Sequence, residues 1–204
     1  MSGPLSWKDY LFLDWFYRRK LSAFTDPAQR VGWISGESQK ARFDAFYQIG
    51  ALEGKRVLDV GSGLGDFYGY LQSKGWNGSY TGFDRLGEMV EESRRRYPGV
   101  RFEKRNIAEQ VTDERWDYVF MSGLFNHRVR DNWGWISQVV SPAQRLSQCG
   151  TAFNLLSDTN PDQDEDFFYA SREELGRFAE ALAPGRWRMV SCALPHDLTI
   201  FLYP

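Results

Sequence analysis

Cysteine and histidine are scarce in this chain, whose 204 residues include two of each. Cys149 and Cys192 both stand beside apolar runs, which is typical of buried, reduced thiols rather than of a disulfide framework. This usage predicts a cytoplasmic protein. The cysteines and histidines lie in separate segments and form no zinc-binding pattern. We expect no metal in the acidic loop 158–166 either, because Gln163 and Tyr169 replace the glycine and the glutamate of a calcium loop.

A large excess of one charge and long apolar runs are also missing. The formal net charge is −2, which argues against nucleic-acid binding, since phosphate contacts need clustered lysine and arginine. No stretch approaches the ~18 apolar residues of a transmembrane helix. Lys8, Asp9 and Asp14 interrupt the apolar residues of the N-terminus, so we expect no signal peptide. The expected partners are therefore neither nucleic acids nor membranes.

Aromatic residues, in contrast, are abundant, at 16% of the chain. Such a content is compatible with a pocket for a flat or apolar substrate. It is equally compatible with a core and surface helices that are rich in aromatic side chains.

Hydrophobic periodicity predicts a regular alternation of strands and helices after two N-terminal amphipathic helices. The first two helices are expected over residues 6–21 and 37–49. Strands are then expected at 57–60, 79–83, 100–103, 116–121, 151–156, 187–194 and 198–203, and helices at 67–74, 87–97, 131–140 and 172–182.

The order of these elements predicts an α/β fold with a doubly wound, seven-stranded, Rossmann-like sheet. Alternating strands and helices form parallel sheets with helices on both faces. Residues 195–197 link the last two strands so tightly that this pair must form an antiparallel terminal hairpin. We expect residues 1–50 to form an N-terminal helical cap within the same domain as residues 51–204.

A glycine-rich turn follows the first strand of this sheet, with Gly61, Gly63 and Gly65 in the spacing G-x-G-x-G. Glycine accepts a positive φ and lets the backbone approach a ligand closely. Asp66 stands where the dinucleotide-binding pattern has its third glycine, and no Gly-Lys-Ser/Thr motif is present. An aspartate at a helix N-terminus disfavours a phosphate there, so the turn favours a cofactor without phosphates.

From about residue 55 onward, the chain resembles the class I S-adenosylmethionine-dependent methyltransferases of the bacterial small-molecule type. Residues 57–65 match the first motif of that family, with Asp59 in its acidic position, and residues 82–84 match the second motif. Residues 105–107 follow the third strand, where the family places the adenine, and residues 117–123 resemble the fourth motif. The terminal hairpin is a further family trait.

The resemblance implies S-adenosylmethionine as the cofactor and suggests which residues bind it. Asp84 would accept hydrogen bonds from the ribose hydroxyls, although it could instead cap the following helix. Ile107 would pack against the adenine and Asn106 would bond to its edge. The implied cofactor-binding set is Trp33, Arg42, Asp59, Gly61, Ser62, Gly63, Gly65, Asp84, Arg85, Asn106, Ile107, Met121 and Ser122.

Three members of this set have open alternatives. Asp59 could support the glycine turn rather than touch the ligand. Either Arg42 or Gln39 could meet the carboxylate of the cofactor while Trp33 covers it, or this segment could be a helix packed on the surface.

Methyl transfer requires mainly proximity and alignment, with a base if the acceptor is a hydroxyl or an ammonium. The segment 122–128 follows the fourth strand, where this fold places the methyl group. His127 is the candidate base because its ordinary pKa is near neutral, and Asn126 could orient the acceptor. His127 could alternatively hold the loop backbone in place. Phe125, Phe168 and Tyr169 are candidates for the substrate wall.

The sequence therefore predicts a methyltransferase that acts on a small-molecule acceptor. Two alternatives stay open at this point. The acidic loop 158–166 could recruit a basic protein or peptide substrate, or the chain could be a non-catalytic partner subunit with the same fold.

Overall fold

The computed structural model describes residues 3–110 and 112–204, which form a single mixed sheet with helices on both faces. The strands are β1 (Arg56–Val60), β2 (Ser79–Asp84), β3 (Arg101–Lys104), β4 (Trp116–Met121), β5 (Ser147–Ser157), β6 (Tyr169–Ala170), β7 (Trp187–Ser191) and β8 (Asp197–Leu202). The helices are α1 (Trp7–Ala23), α2 (Pro27–Arg30), α3 (Gly36–Phe46), α4 (Asp66–Ser73), α5 (Gly87–Arg96), α6 (Asn132–Leu146) and α7 (Arg172–Leu182). A short 3₁₀ turn, Tyr47–Ile49, follows α3.

The strand order β3-β2-β1-β4-β5-β8-β7 confirms the predicted doubly wound sheet. Strands β1 to β5 pair in parallel, whereas β8 is antiparallel to both β5 and β7. The antiparallel terminal hairpin is therefore also confirmed. Because the order reverses between β1 and β4, the carboxyl ends of these strands leave a crevice, which is where ligands bind in such sheets.

Alternate residues of the central strands pack into two separate cores, one on each face of the sheet. Leu58 and Val119 face the core that α6 and α7 cover. Val57 and Phe120 face the core that α3 and α4 cover. Burial on both faces is why these strands appear in the sequence as continuous apolar runs rather than as an alternating pattern.

Four elements, α6, β5, α2 and β6, differ from the sequence-based expectations. Helix α6 continues past Pro142 to Leu146, and β5 begins at Ser147 rather than near 151, because burial of Ala143 and Leu146 outweighs the hydrogen bond that proline removes. Helix α2 lies where a loop was expected, and Asp26 caps it by accepting from the Gln29 amide at 3.0 Å. The two-residue strand β6 pairs beside β5 and is too short for a sequence signal.

The N-terminal helices lie over the carboxyl edge of the sheet. Helix α1 begins with a capping box formed by Ser6 and Asp9. Two polar contacts join α1 to the rest of the domain. Arg18 forms an ion pair with Glu88 of α5, and the Tyr10 hydroxyl donates a hydrogen bond to Glu109, which follows β3. Of the helices in the described residues, none is both long enough and apolar enough to cross a membrane.

Candidate active site

A cavity of about 1160 Å³, its open mouth included, lies between the carboxyl ends of β1, β2 and β4 and the N-terminal helices. The ends of β1 and β2 and the loops after β1, β2, β3 and β4 supply part of its wall, which includes Asp59, Gly61, Ser62, Gly63, Asp84, Arg85, Asn106, Ile107, Ser122, Gly123 and Leu124. The N-terminal segment supplies Leu5, Tyr10, Leu13, Tyr17, Val31, Trp33, Gln39 and Phe43. The topology therefore brings most of the predicted cofactor-binding residues to one site.

The turn after β1 forms the floor of the cavity with bare backbone. Gly61 and Gly63 have φ angles of 77° and 51°. The amides of Gly61 and Ser62 donate to the carbonyl of Phe83 at 2.8 and 3.0 Å, which fixes the turn against β2. A Cβ on Gly61 would lie 2.9 Å from Cδ1 of Leu124, so a larger residue would displace the Leu124 side chain, which also lines the cavity.

Gly65 has a different role from the other two glycines of the turn. It has a φ of 76° and precedes α4 as its N-cap residue. A Cβ there would lie 2.8 Å from Cζ of Phe102, inside the protein. Gly65 does not line the cavity. Backbone conformation and packing account for a glycine here, and its contact with the cofactor stays a prediction.

Asp84 stands at the end of β2 with both carboxylate oxygens toward backbone donors. One oxygen accepts from the Gly63 amide at 2.9 Å and the other accepts from the Leu86 amide at 2.8 Å. Burial raises the pKa of Asp84, and these two hydrogen bonds act against that rise. Each oxygen has further acceptor capacity, so Asp84 can stabilise the turn and still accept from a ligand.

Asp59 of β1 lines the cavity and is 3% exposed. It accepts a hydrogen bond of 2.5 Å from the Tyr80 hydroxyl. Burial raises the pKa of Asp59 to about 7, although the Tyr80 hydroxyl acts in the opposite direction. This hydrogen bond joins β1 to β2, and contact of Asp59 with the cofactor stays a prediction.

Two buried hydroxyls line the cavity without a partner. Oγ of Ser62 and Oγ of Ser122 form no hydrogen bond with the described residues. Leaving such a group unsatisfied costs roughly 1–3 kcal/mol. Both hydroxyls therefore point to a polar ligand.

Arg85, Asn106 and Ile107 reach the same cavity from the loops after β2 and β3. Ile107 is 5% exposed and offers an apolar surface. Arg85 forms an ion pair with Asp14 of α1, and its guanidinium lies 5.1 Å from the centre of the Tyr10 ring. Arg85 thus joins helix α1 to the wall of the cavity.

Arg42, a member of the expected cofactor-binding set, is engaged within the protein, and its contact with the cofactor stays a prediction. Its Nε donates to Oδ2 of Asp197 at 2.6 Å, and its guanidinium lies 4.4 Å from the centre of the Trp33 ring. It does not line the cavity. Gln39, one helical turn earlier, does line it and donates to Oδ2 of Asp66 at 3.0 Å. Trp33 is also part of the cavity wall.

Met121 and Phe125 do not line the cavity, since both side chains are fully buried, and their contacts with ligands stay predictions. The alternation of β4 directs Met121 into the core under α6 and α7. Phe125 packs against Trp135 and Phe153, with ring centres 5.3 and 5.9 Å away.

The expected substrate wall from Phe168 and Tyr169 does not reach the cavity either. Phe168 packs edge-on against Trp133, with ring centres 5.7 Å apart. The Tyr169 hydroxyl accepts from the Asp164 amide at 3.0 Å and so orders the acidic loop.

His127 and Asn126 line a second, smaller pocket that adjoins the cavity. This side pocket is lined by Phe16, Tyr17, Val31, Gly32, Trp33, Gly123, Asn126, His127 and Phe167, and its space is about 240 Å³ with the mouth included. Tyr17, Val31, Trp33 and Gly123 line the cavity as well, so they form the boundary between the two spaces.

The imidazole of His127 is 3% exposed and enclosed by aromatic rings. Phe12, Phe16 and Tyr17 meet it edge-on, and Phe167 stacks on it at 5.1 Å. Burial lowers the pKa of His127 from 6.5 to about 4, against the opposing effect of the Asp166 backbone and carboxylate. The imidazole is therefore neutral near pH 7.

Sequence reasoning missed the contribution of α1 to the site. Tyr10, Leu13 and Tyr17 stand at positions i, i+3 and i+7, so one face of α1 covers the cavity. The periodicity was a visible signal, but it cannot distinguish a face that packs on a core from one that covers a ligand. No group of three or more histidine, cysteine, aspartate or glutamate side chains suited to a metal occurs in ranges 3–110 and 112–204.

The family described as "Methyltransferase domain" matches residues 57–143. A protein of Mycobacterium tuberculosis, named "Putative methyltransferase Rv1506c", is 32% identical over 133 residues, which are 60% of this chain and 76% of that protein. The trans-aconitate 2-methyltransferase of Afipia carboxidovorans is 24% identical over 156 residues, which are 75% of this chain but only 57% of that enzyme. The chain thus spans little more than half the length of this second relative.

Solved structures show the same fold. The structure named "DhpI-SAM-HEP complex" has a TM-score of 0.68 and 20% identity, with 100% of each chain covered. Magnesium protoporphyrin IX methyltransferase from Synechocystis PCC 6803, solved with bound SAM, has a TM-score of 0.63 and 16% identity, with 93% of this chain and 90% of that chain covered.

Proposed function

Because this chain belongs to the class I S-adenosylmethionine-dependent methyltransferases, we propose that it transfers a methyl group to a small-molecule acceptor. The observation that carries this proposal is the cavity itself. It combines a bare glycine floor, the Asp84 carboxylate and the apolar Ile107 under a cover of N-terminal helices. A cover of this kind favours a small acceptor over a protein or peptide.

The residues of the cavity fit S-adenosylmethionine. The unpartnered Ser62 and Ser122 hydroxyls offer hydrogen bonds, and Asp84 can accept from a ribose. The wall also contains Asp66 at the N-terminus of α4, which suits a cationic ligand better than a phosphate. We assign the adenine to Asn106 and Ile107, and the methionine part to the Gly61–Gly63 backbone, with Gln39 and Trp33 beside it.

When bound, the cofactor supplies a methyl group that is electrophilic because it is attached to a positively charged sulfur. The chain contributes position and a proton acceptor. Trp33 and Tyr17 exclude water where the cavity meets the side pocket. His127 is the proposed base and Asn126 the proposed orienting group. An acceptor hydroxyl becomes strongly acidic as it is methylated, so even an imidazole with a lowered pKa can take its proton.

The proposal includes a cytoplasmic location, with neither nucleic acid nor membrane as a partner. The thiols of Cys149 and Cys192 are free, as proteins of a reducing compartment require. The trans-aconitate 2-methyltransferases among the relatives make a small acceptor a reasonable starting point, but this chain covers only about half of their length.

Titration calorimetry with S-adenosylmethionine and S-adenosylhomocysteine tests the proposal directly. We expect both to bind, and Asp84→Asn to weaken binding at least tenfold, since it removes a carboxylate that the ribose needs (about 1.4 kcal/mol per factor of ten).

Asp117→Asn is the matched control for this experiment. Asp117 also accepts a backbone hydrogen bond, from the Arg56 amide at 2.7 Å, but it lies outside the cavity. Its substitution is expected to leave cofactor affinity unchanged. If neither compound binds the wild-type protein, the proposed function is wrong.

A further inference from the structure

We propose that the outward face of α1 and the acidic loop 158–166 together form an interface that binds a second copy of this chain. Trp7, Leu11 and Trp15 stand at positions i, i+4 and i+8 of α1 and are 69%, 59% and 55% exposed. At this spacing they form one stripe along the helix. Single exposed apolar residues need no explanation, but a continuous stripe of large ones marks an interaction site.

Two cations that flank this stripe have no carboxylate partner in the described part of the chain. The charged groups of Lys8 and Arg19 lie over the two tryptophan rings of the stripe, 5.7 and 5.3 Å from the ring centres. Neither of them forms an ion pair within residues 3–110 and 112–204. The acids of α1 are already engaged, Asp9 in the capping box and Asp14 with Arg85.

The acidic loop lies beside the same flank of α1. Phe12 and Phe16 of α1 pack against His127 with ring centres 5.5 and 4.3 Å away, and Phe167, which follows the loop, stacks on His127 at 5.1 Å. The loop holds five exposed carboxylates, and none of them forms an ion pair among the described residues: Asp158, Asp162, Asp164, Glu165 and Asp166. Free cations and free carboxylates therefore lie side by side on one surface.

The two signs of charge select the partner. An anionic membrane or a uniformly acidic protein would attract the cations of α1 but would be repelled by the five carboxylates of the loop. A second copy, turned by a two-fold rotation, places the loop of each chain against α1 of the other, because an isologous interface uses the same surface of both subunits. The same contact removes the apolar stripe from water.

The dimensions of this surface predict a reversible dimer. Helix α1 has 17 residues and is about 25 Å long, so with the adjoining loop it is at the small end of specific interfaces. The dimer fraction should therefore rise with protein concentration. Because α1 also covers the cofactor cavity, the second copy lies on the outer side of this cover. Assembly itself requires no cofactor.

A charge exchange between the two patches tests the dimer by analytical ultracentrifugation of the full chain without ligand. The helix variant is Lys8→Glu/Arg19→Glu. The loop variant is Asp158→Lys/Asp162→Lys/Glu165→Lys, which changes three carboxylates that accept no hydrogen bond within the described residues. Far-UV circular dichroism checks that each variant is folded.

We expect the wild type to dimerise and each variant alone to dimerise at least about tenfold more weakly, because charges of one sign then oppose each other. An equimolar mixture of the two variants should recover dimers close to the wild-type affinity. In the mixed dimer, α1 of the loop variant meets an unaltered loop, and α1 of the helix variant meets a loop whose charges are also reversed.

The apolar stripe has its own test. Leu11→Asn should weaken dimerisation about tenfold, because the dimer then buries less apolar surface. Tyr47→Asn is the matched control, since Tyr47 is also an exposed aromatic residue but lies in the 3₁₀ turn after α3. This control should leave dimerisation unchanged.

A wild-type protein that stays monomeric over about a hundredfold range of concentration refutes the second copy as the partner, whether or not a variant folds. A mixture that associates no better than the separate variants refutes it as well. Monomers that instead sediment with phosphatidylglycerol vesicles would show that α1 faces a membrane. None of these results bears on methyl transfer, because cofactor binding is measured separately by calorimetry.

Discussion

Gly61 shows how a single residue can be required by both conformation and contact. It has a φ of 77°, and a Cβ there would lie 2.9 Å from Leu124. We predict that Gly61→Ala lowers stability by about 1–2 kcal/mol through its backbone strain and reduces S-adenosylhomocysteine affinity more than tenfold. The affinity is lost because the displaced side chains enter the cavity. Urea unfolding and calorimetry measure the two effects.

Gly54 supplies a matched control for this prediction. It has a φ of 66°, but a Cβ there would meet nothing within 4 Å. Gly54→Ala should therefore lower stability through its backbone strain, as Gly61→Ala does, but leave cofactor affinity unchanged. Equal affinity losses in both variants would contradict the assignment of the turn to the cofactor.

His127 should make stability depend on pH in a defined direction. Its pKa is lowered from 6.5 to about 4 in the folded protein, so between these values only the unfolded chain binds the proton. The stability contributed by neutral His127 is therefore complete above pH 6.5 and is lost as the pH falls to 4. As the pH rises from 4 to 6.5, we expect the free energy of unfolding of the wild type to increase by on the order of 3 kcal/mol relative to that of His127→Gln.

Urea unfolding of both proteins at several pH values measures this difference. A difference that is independent of pH between 4 and 6.5 would show that His127 is not buried in the neutral form.

At the scale of elements, a buried ion pair joins the N-terminal helices to the terminal hairpin. Arg42 of α3 donates to Asp197 at the start of β8, and Asn154 of β5 donates to the same carboxylate at 3.5 Å. The Asn154 side chain also accepts from the Gly123 amide at 2.9 Å. Trp33 lies on Arg42 and against Gly123, so the network positions the boundary between cavity and side pocket.

We predict that Arg42→Met destabilises the protein by roughly 3–5 kcal/mol, because it leaves the Asp197 carboxylate buried without its cation. The double variant Arg42→Met/Asp197→Asn should recover part of this loss. Urea unfolding of the single and double variants measures both values.

Lys40 provides the control on the same helix. Its ion pair with Asp44 is exposed, so Lys40→Met should change stability by less than about 1 kcal/mol. An Arg42→Met effect of the same small size would contradict a buried, structural pair.

At the scale of the whole molecule, α1 is a cover that polar contacts hold in place. Asp14 pairs with Arg85 and Arg18 pairs with Glu88, so two ion pairs join the helix to the region around α5. Bound cofactor would lie between this cover and the floor of the cavity. Release of the product then requires these contacts to open.

The double variant Asp14→Asn/Glu88→Gln should therefore release S-adenosylhomocysteine several-fold faster, since exposed ion pairs contribute up to about 1 kcal/mol each. Stopped-flow displacement, followed by tryptophan fluorescence, measures the rate.

Glu173→Gln, which removes an exposed pair with Arg177 on α7, is the control and should not change this rate. An unchanged release rate in the double variant would show that α1 does not limit exit.

Local sequence signals were sufficient to predict the sheet and the glycine turn that forms the floor of the cavity. Continuous apolar strands, helix caps and turn glycines are local signals, and each reports the environment of its own segment. The positions of Gly61, Gly63 and Asp84 at the cavity followed from those signals, because the ends of parallel strands must meet at one edge.

Which long side chains face the site depends on packing between distant segments and could not be predicted from the sequence. Arg42 and Gln39 lie one helical turn apart and look equally suitable in the sequence, but a partner 155 positions away, Asp197, takes Arg42. The aromatic enclosure of His127 also joins α1 to residues beyond β4 and β5. Such contacts arise from packing between distant segments, and no local pattern in the chain encodes them.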